Sequence, residues 1–265
     1  MRPTELGDDH FRVLPALAGA DFPQRFEYYR HLFAYLTASR RLPHQARVLE
    51  LGSGAGYGAA VLRAQGIEFI ATDLVLAALQ YAQRIYDVTP GVQAPATALP
   101  FHCNMFDAVI AFQVIEHVHD VDAMLREIRR LLRPGGYLIL TTPNRTLRLL
   151  PLQKPWNPYH VREYRAAELK RLLRRYFKQV TVQGISTRPD LLQRERLRVR
   201  QRPLYVYGGM LRRRLGLARP ARRPDQSFAI TAAADNPIDV TARDFCLTEN
   251  VAQAIDLFGM AVAGE

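Results

Sequence analysis

The chain has 265 residues, with 36 Lys plus Arg against 25 Asp plus Glu, a net charge of +11 with His neutral. Hydrophobic residues make up 48%, enough to bury a sizeable core, which excludes a disordered tail protein. Two cysteines, Cys103 and Cys246, exclude a disulfide scaffold and a four-cysteine zinc site, and point to a reducing compartment.

The opening run carries acids where a leader peptide needs bases, and no run of about 18 apolar residues occurs, so a cytoplasmic chain with no membrane-spanning segment is expected. The charge excess is local. Residues 186–223 hold 12 Arg against Asp190 and Glu195, a net of +10, and leave a near-neutral remainder of +1.

In chain order, residues 22–41 read as an amphipathic helix with Phe26, Tyr29, Phe33 and Leu36 at helical spacing. Val48 to Leu51 reads as a buried strand that breaks into a glycine loop and a helix. Glu68 to Thr72 is a second strand ending at Asp73, followed by a helix near 75–86. Phe106 to Phe112 is a third. Asp122 to Leu132 is a helix with Met124, Leu125, Ile128, Leu131 and Leu132 on one side. Pro134-Gly135-Gly136 stops that helix and turns into a strand from Tyr137 to Thr142. A helix at about 166–176, a strand at about 179–184, a short strand near Asp244 to Leu247 and a last helix from Glu249 complete the expectation. Alternating strands and helices imply a parallel sheet covered on both faces.

The loop Glu50-Leu51-Gly52-Ser53-Gly54-Ala55-Gly56-Tyr57-Gly58 brings a strand end to a backbone with few side chains, where a ligand can approach free helix N–H groups. Asp73, 21 residues after Gly52, ends the next strand, where a carboxylate can accept both hydroxyls of a ribose. A nucleoside triphosphate needs a Gly-Lys-Ser/Thr that is missing. A dinucleotide needs G-x-G-x-x-G or -A, which fails from Gly52 at Tyr57 and passes weakly from Gly54 at Ala59. S-adenosylmethionine has no pyrophosphate, and its ammonium wants an acceptor. Glu50 suits that ammonium or organises the loop, and would repel a pyrophosphate.

The stretches VLELGSGAGYG, TDL, ALPF, FDAVIAFQVIEHV and LREIRRLLRPGGYLILTTPN, over about 47–144, resemble the class I S-adenosylmethionine-dependent methyltransferases in order and spacing. The Gly-x-Gly-Tyr-Gly form, the loop from Asn157 to Tyr164 and a final strand in Asp244 to Asn250 look most like methyltransferases of small molecules and cell-surface sugars. Quinone-ring O-methyltransferases are similar but less close. The resemblance implies a Rossmann-like, doubly wound, seven-stranded mixed α/β sheet with an antiparallel last strand and S-adenosyl-L-methionine as cofactor. It places Glu50, Gly52, Ser53, Gly54 and Gly56 at the methionine part and Asp73 on the ribose. Leu74 would lie on the adenine, Leu99-Pro100-Phe101 around its pocket, and Gln113 under the sulfonium. Two positions depart from the pattern. Pro95 stands where relatives often carry Asp to hold the adenine amino group. Gln113 replaces the first carboxylate of a Glu-x-x-Glu-His associated with a divalent metal, so no metal is expected.

A hydroxyl nucleophile benefits from a base, and imidazole has a suitable pKa. His160 is the first candidate because its loop follows the strand ending near Thr142. His117 is the second, with Glu116-His117 as an alternative structural tie. Arg162 and Glu163 are expected to pair or to orient a polar substrate, and Tyr28, Tyr29, Arg30 and His31 to belong to a lid.

The whole chain, 1–265, reads as a single domain. It comprises an N-terminal lid (1–45), a cofactor core (46–185), a basic helical insertion (186–240) before the last strand, and a last strand and helix (241–265). The insertion is a cover over the substrate pocket, or a peripheral contact with an anionic, inner membrane surface through 188–223, or a polyanion site. No Asn/Asp-Pro-Pro-aromatic follows the strand ending at Phe112, so a nucleic-acid partner is not expected. The leading expectation is methyl transfer to a hydroxyl of a sugar or other small acceptor. A quinone-ring enzyme, a dinucleotide-dependent oxidoreductase and a non-catalytic cofactor-binding relative remain as alternatives.

Overall fold

The computed structural model describes residues 22–150, 153–200 and 240–264. Its first helix is α1 (Phe22–Ser39). There follow β1 (Arg47–Leu51), α2 (Gly58–Ala64), β2 (Glu68–Asp73), α3 (Leu76–Tyr86), β3 (Gly91–Gln93), β4 (Phe106–Phe112), α4 (Val121–Leu131), β5 (Leu132–Pro143), α5 (Arg145–Arg148), α6 (Ala166–Leu173) and β6 (Gln179–Thr187). A helix, α7, runs over 189–200. The chain closes with β7 (Phe245–Thr248) and β8 (Asp256–Val262).

The strands form one sheet in the order β3-β2-β1-β4-β5-β8-β6-β7. From β3 to β5 the pairing is parallel, and β8 runs antiparallel to both β5 and β6. The inner strands are largely apolar because both sheet faces are covered, with Glu50 of β1 the buried charged exception. Alternate residues go to opposite faces, as a two-residue period requires. Val48 and Ile110 join α1 in one cluster. Leu49, Leu51 and Val109 join Met124, Leu125 and Ile128 of α4 and Leu169 and Leu173 of α6 in the other. Asp120 caps α4 by accepting the Ala123 N–H at 2.8 Å. The chain steps from β1 outward to β2 and then back to β4 on the opposite side. That reversal opens a crevice beyond the carboxyl ends of β1 and β4, where open α/β sheets bind ligands.

Several expectations change. The segment after Glu249 holds a short turn and then the strand β8, not a last helix. Buried on both faces, Ile255 to Ala263 shows no alternation to separate strand from helix. Its Gly259 lies against Leu140, where an added Cβ would be 3.3 Å from Cδ1. The strand near 244–247 exists as β7, but it is an edge strand antiparallel to β6 and not the last in the chain. Among the described residues the sheet therefore has eight strands, not seven. Pro134-Gly135-Gly136 lies inside β5, where pairing to β4 jumps from Phe106–Leu132 to Ala108–Tyr137. The buried face of α1 is rotated: Phe26, Arg30, Ala34, Tyr35 and Ala38 are buried, while Tyr29, Phe33 and Leu36 are half-buried. Polar groups on that face find partners across the crevice. In the basic segment, 201–239 lies outside the described residues. Among the described residues no helix is long and apolar enough to cross a membrane.

Candidate active site

The crevice is floored by the loop after β1. Gly52, Gly54 and Gly56 all have positive φ, from 53 to 79°, a region that costs other residues strain. An added Cβ at Gly56 would lie 2.5 Å from the Ala82 Cβ, whereas at Gly54 it would meet nothing within 4 Å. Gly56 is thus needed for packing, and Gly54 offers open backbone. The Gly54 N–H donates to Asp73 Oδ2 at 2.9 Å, and the Val75 N–H donates to Asp73 Oδ1 at 2.9 Å. One carboxylate thereby ties the glycine loop to the end of β2. Ser53 is buried, its N–H donating to the Thr72 carbonyl, and its hydroxyl has no hydrogen-bond partner among the described residues.

Glu50 is 1% exposed. The Tyr35 hydroxyl donates to its Oε1, and its Oε2 has no hydrogen-bond partner among the described residues. Burial raises its pKa to about 7, with Asp73 adding to the rise and the Tyr35 hydrogen bond opposing it. A buried carboxylate with one oxygen unsatisfied fits a cationic group. Leu74 is 66% exposed beside Asp73, as a residue lying on a ligand would be. Leu99 is buried in the core, its N–H donating to Glu127 and its carbonyl accepting from Arg130. The Pro95 carbonyl accepts the Ala98 N–H at 3.0 Å.

Gln113 follows β4 with φ 56°. Its side-chain amide donates to Thr141 Oγ1 at 3.2 Å and to Asp256 Oδ2 at 3.3 Å. Asp256 is also 3.1 Å from Arg30 Nε, and both are buried. Burial raises Asp256 to about 6 against the pull of Arg30 and Arg148. Arg30, Tyr35 and His31, the last bonded to the Tyr57 hydroxyl at 2.9 Å, all lie on α1. Through these residues that helix makes polar contacts with Asp256, Glu50 and Tyr57.

A second cluster lies where the segment 153–165 meets the turn after β4. The Val161 and Arg162 N–H groups donate to the Glu116 carbonyl at 2.8 and 3.3 Å. Glu116 is fully buried, accepts from the Thr142 hydroxyl at 3.0 Å, and is raised to about 8 by burial. The His117 ring stands edge-on to that of His160 at 4.8 Å, and His117 Nδ1 is 3.0 Å from the Tyr159 carbonyl. His160 Nδ1 is 2.8 Å from Glu163 Oε1. The two histidines of the sequence reading therefore stand together. Glu116, His117 and His160 each present one potential ligand atom, all within 4.8 Å of one another, a set chemically able to hold a divalent cation. Glu163 pairs with Arg148 and His160, not with Arg162, whose guanidinium lies over Tyr164. Tyr35, Arg148 and Asp256 escaped sequence reasoning because their partners are 15, 15 and 143 residues away.

A family model described as a methyltransferase domain matches residues 23–176. A probable S-adenosylmethionine-dependent methyltransferase of Mycolicibacterium smegmatis is 34% identical over 165 residues, 61% of each chain. A ubiquinone biosynthesis O-methyltransferase of Xanthomonas axonopodis pv. citri is 33% identical over 130 residues, covering 47% of this chain and 51% of that one. The chain thus spans roughly half to three-fifths of the length of these curated relatives. In fold it is similar to a possible histamine N-methyltransferase of Thermotoga maritima, with a TM-score of 0.57, 20% identity, and coverage of 91% and 96% of the two chains. A phosphoethanolamine N-methyltransferase of Haemonchus contortus, solved with S-adenosyl-L-methionine, matches with a TM-score of 0.57 and 18% identity, over 94% of this chain and 56% of that one.

Proposed function

The chain belongs to the class I S-adenosylmethionine-dependent methyltransferase family, and from that premise we propose that it methylates a hydroxyl of a sugar, glycan or other small acceptor. S-adenosyl-L-methionine, when bound, supplies an activated methyl group on a sulfonium. The residues present suit that cofactor. Glu50 has a buried oxygen without a hydrogen-bond partner among the described residues, for the ammonium. Gly54 offers open backbone for the methionine part, and Gly52, Ser53 and Gly56 hold the loop in the shape that presents it. Asp73, with Leu74 beside it, would hold the ribose, and Gln113 would lie near the methyl group. Leu99 would contribute from the core behind the adenine.

The observation that carries the hydroxyl reading is the hydrogen bond from His160 to the buried Glu163. An imidazole held by a carboxylate on one nitrogen is suited to take a proton on the other. His160 is therefore the base that accepts the hydroxyl proton as the methyl group transfers. Positioning of nucleophile and methyl group does the rest, an effect worth about 7–11 kcal/mol when alignment is good. His117, edge-on to His160, is the second candidate and supports the ring. The +10 segment at 188–223 would bring the protein to an anionic surface carrying a lipid-linked acceptor, and co-sedimentation with anionic vesicles at low salt tests that part.

The test is transfer of isotopically labelled methyl from S-adenosyl-L-methionine to a panel of saccharides and, in parallel, to ring phenols of quinone precursors. Label on a sugar oxygen is expected. Label on the phenols alone would support the quinone-ring reading, which the ubiquinone-type relative favours.

A further inference from the structure

A set of hydrogen-bonded groups stands behind the His160 ring. Glu163 is 0% exposed. Its two oxygens lie 3.2 Å from Arg148 Nε, and one is 2.8 Å from His160 Nδ1. The Arg148 guanidinium itself lies over Trp156, 4.3 Å from the ring centroid. The segment is anchored on both sides. The His160 N–H donates to the Asn157 carbonyl, the Val161 N–H to Glu116, and the Arg145 N–H to the Tyr164 carbonyl. Burial works against ionisation of Glu163, but the hydrogen bond from His160 and the charge of Arg148 outweigh it and hold its pKa below the ordinary value. Paired with the Arg148 guanidinium, the Glu163 carboxylate is placed to accept a hydrogen bond from the ring.

We propose that Glu163 is a positioning residue that fixes the His160 proton on Nδ1, so that Nε2 is the lone-pair nitrogen of the neutral ring. The inference rests on the proposed role of His160 as base. An acceptor-only carboxylate at 2.8 Å requires a donor opposite it, and a neutral imidazole carries one N–H. A carboxylate behind a histidine sets its tautomer and raises its basicity in the same way at metal sites. Among the described residues, the charged and titratable groups beside this ring include Glu163 and Arg148 on one side and His117 and Glu116 on the other.

The experiment is long-range nitrogen–proton NMR on the full chain labelled with ¹⁵N-histidine, in EDTA, followed as a function of pH. The chain has seven histidines, and His160→Gln assigns the signal. The neutral His160 ring is expected as the Nδ1–H tautomer, and Glu163→Ala, which removes the acceptor, is expected to give a mixture of the two tautomers. An Nε2–H tautomer in the unaltered protein, or an Nδ1–H tautomer undiminished in Glu163→Ala, overturns the inference. Should Glu163→Ala not fold, the tautomer of the unaltered protein decides. If the tautomer is Nδ1–H while His160→Gln transfers methyl at the full rate, the base reading fails and the control of the ring by Glu163 stands.

Discussion

Tyr35, near the C-terminal end of α1, donates its hydroxyl to Glu50 at the end of β1, and both are buried. Helix α1 and the strand that leads into the glycine loop are thereby joined through one carboxylate. Glu50 is raised to about 7 by burial, so near neutral pH it is divided between its protonated and ionised forms. A bound ammonium favours the ionised form. Affinity for S-adenosyl-L-methionine is therefore expected to rise as pH increases from about 5.5 to about 7.5 and then level off. Calorimetry in buffers of different ionisation enthalpy will register proton release across that window. In Glu50→Gln the dependence should flatten and the affinity fall.

Asp73 accepts one N–H from the glycine loop and one from the residue two positions on. Asp73→Ala is expected to remove the ribose acceptor and loosen Gly54 together. Loss of hydrogen bonds to a charged group, at about 1.5–3 kcal/mol, corresponds to a decrease of at least tenfold in affinity. Titration with S-adenosylhomocysteine measures it.

Gly58 begins α2 directly beneath Tyr35. A Cβ added there would lie 2.2 Å from two carbons of the Tyr35 ring. Gly58→Ala is expected to destabilise the fold by about 1–3 kcal/mol through overpacking, and to weaken cofactor binding by displacing the partner of Glu50. Urea denaturation beside a binding titration separates the two effects. Gly54→Ala meets no such obstruction, so its stability cost should come only from its positive φ, while its binding cost should exceed that of Gly58→Ala.

The parts legible in the sequence were those whose signal is local. β1, β2 and β4 are apolar runs ending in a glycine, an acid or a polar turn. The packed face of α4 follows from Met124, Leu125 and Ile128, and the loop from Gly52 to Gly58 announces its own conformation. His160 and His117 were identifiable as candidates, though not as neighbours. What could not be read depends on distant partners. Asp256 becomes part of the crevice because β8 inserts between β5 and β6, and nothing between Asn250 and Val262 signals that insertion. Arg30 is buried in a helix because Asp256 awaits it, so the true inner face of α1 is half polar and an apolar periodicity misplaces it. Arg148 and Glu163 are individually ordinary charged residues, and only the fold brings them together behind His160.

The central claim is that His160 takes the proton of a hydroxyl acceptor. Its most direct test compares the unaltered protein with His160→Gln for binding of S-adenosylhomocysteine and for the rate of methyl transfer to a hydroxylated acceptor under saturating cofactor. Equal binding is expected, with a rate lower by about 10²–10⁴-fold, the usual contribution of a positioned base. An unchanged rate with unchanged binding would contradict it.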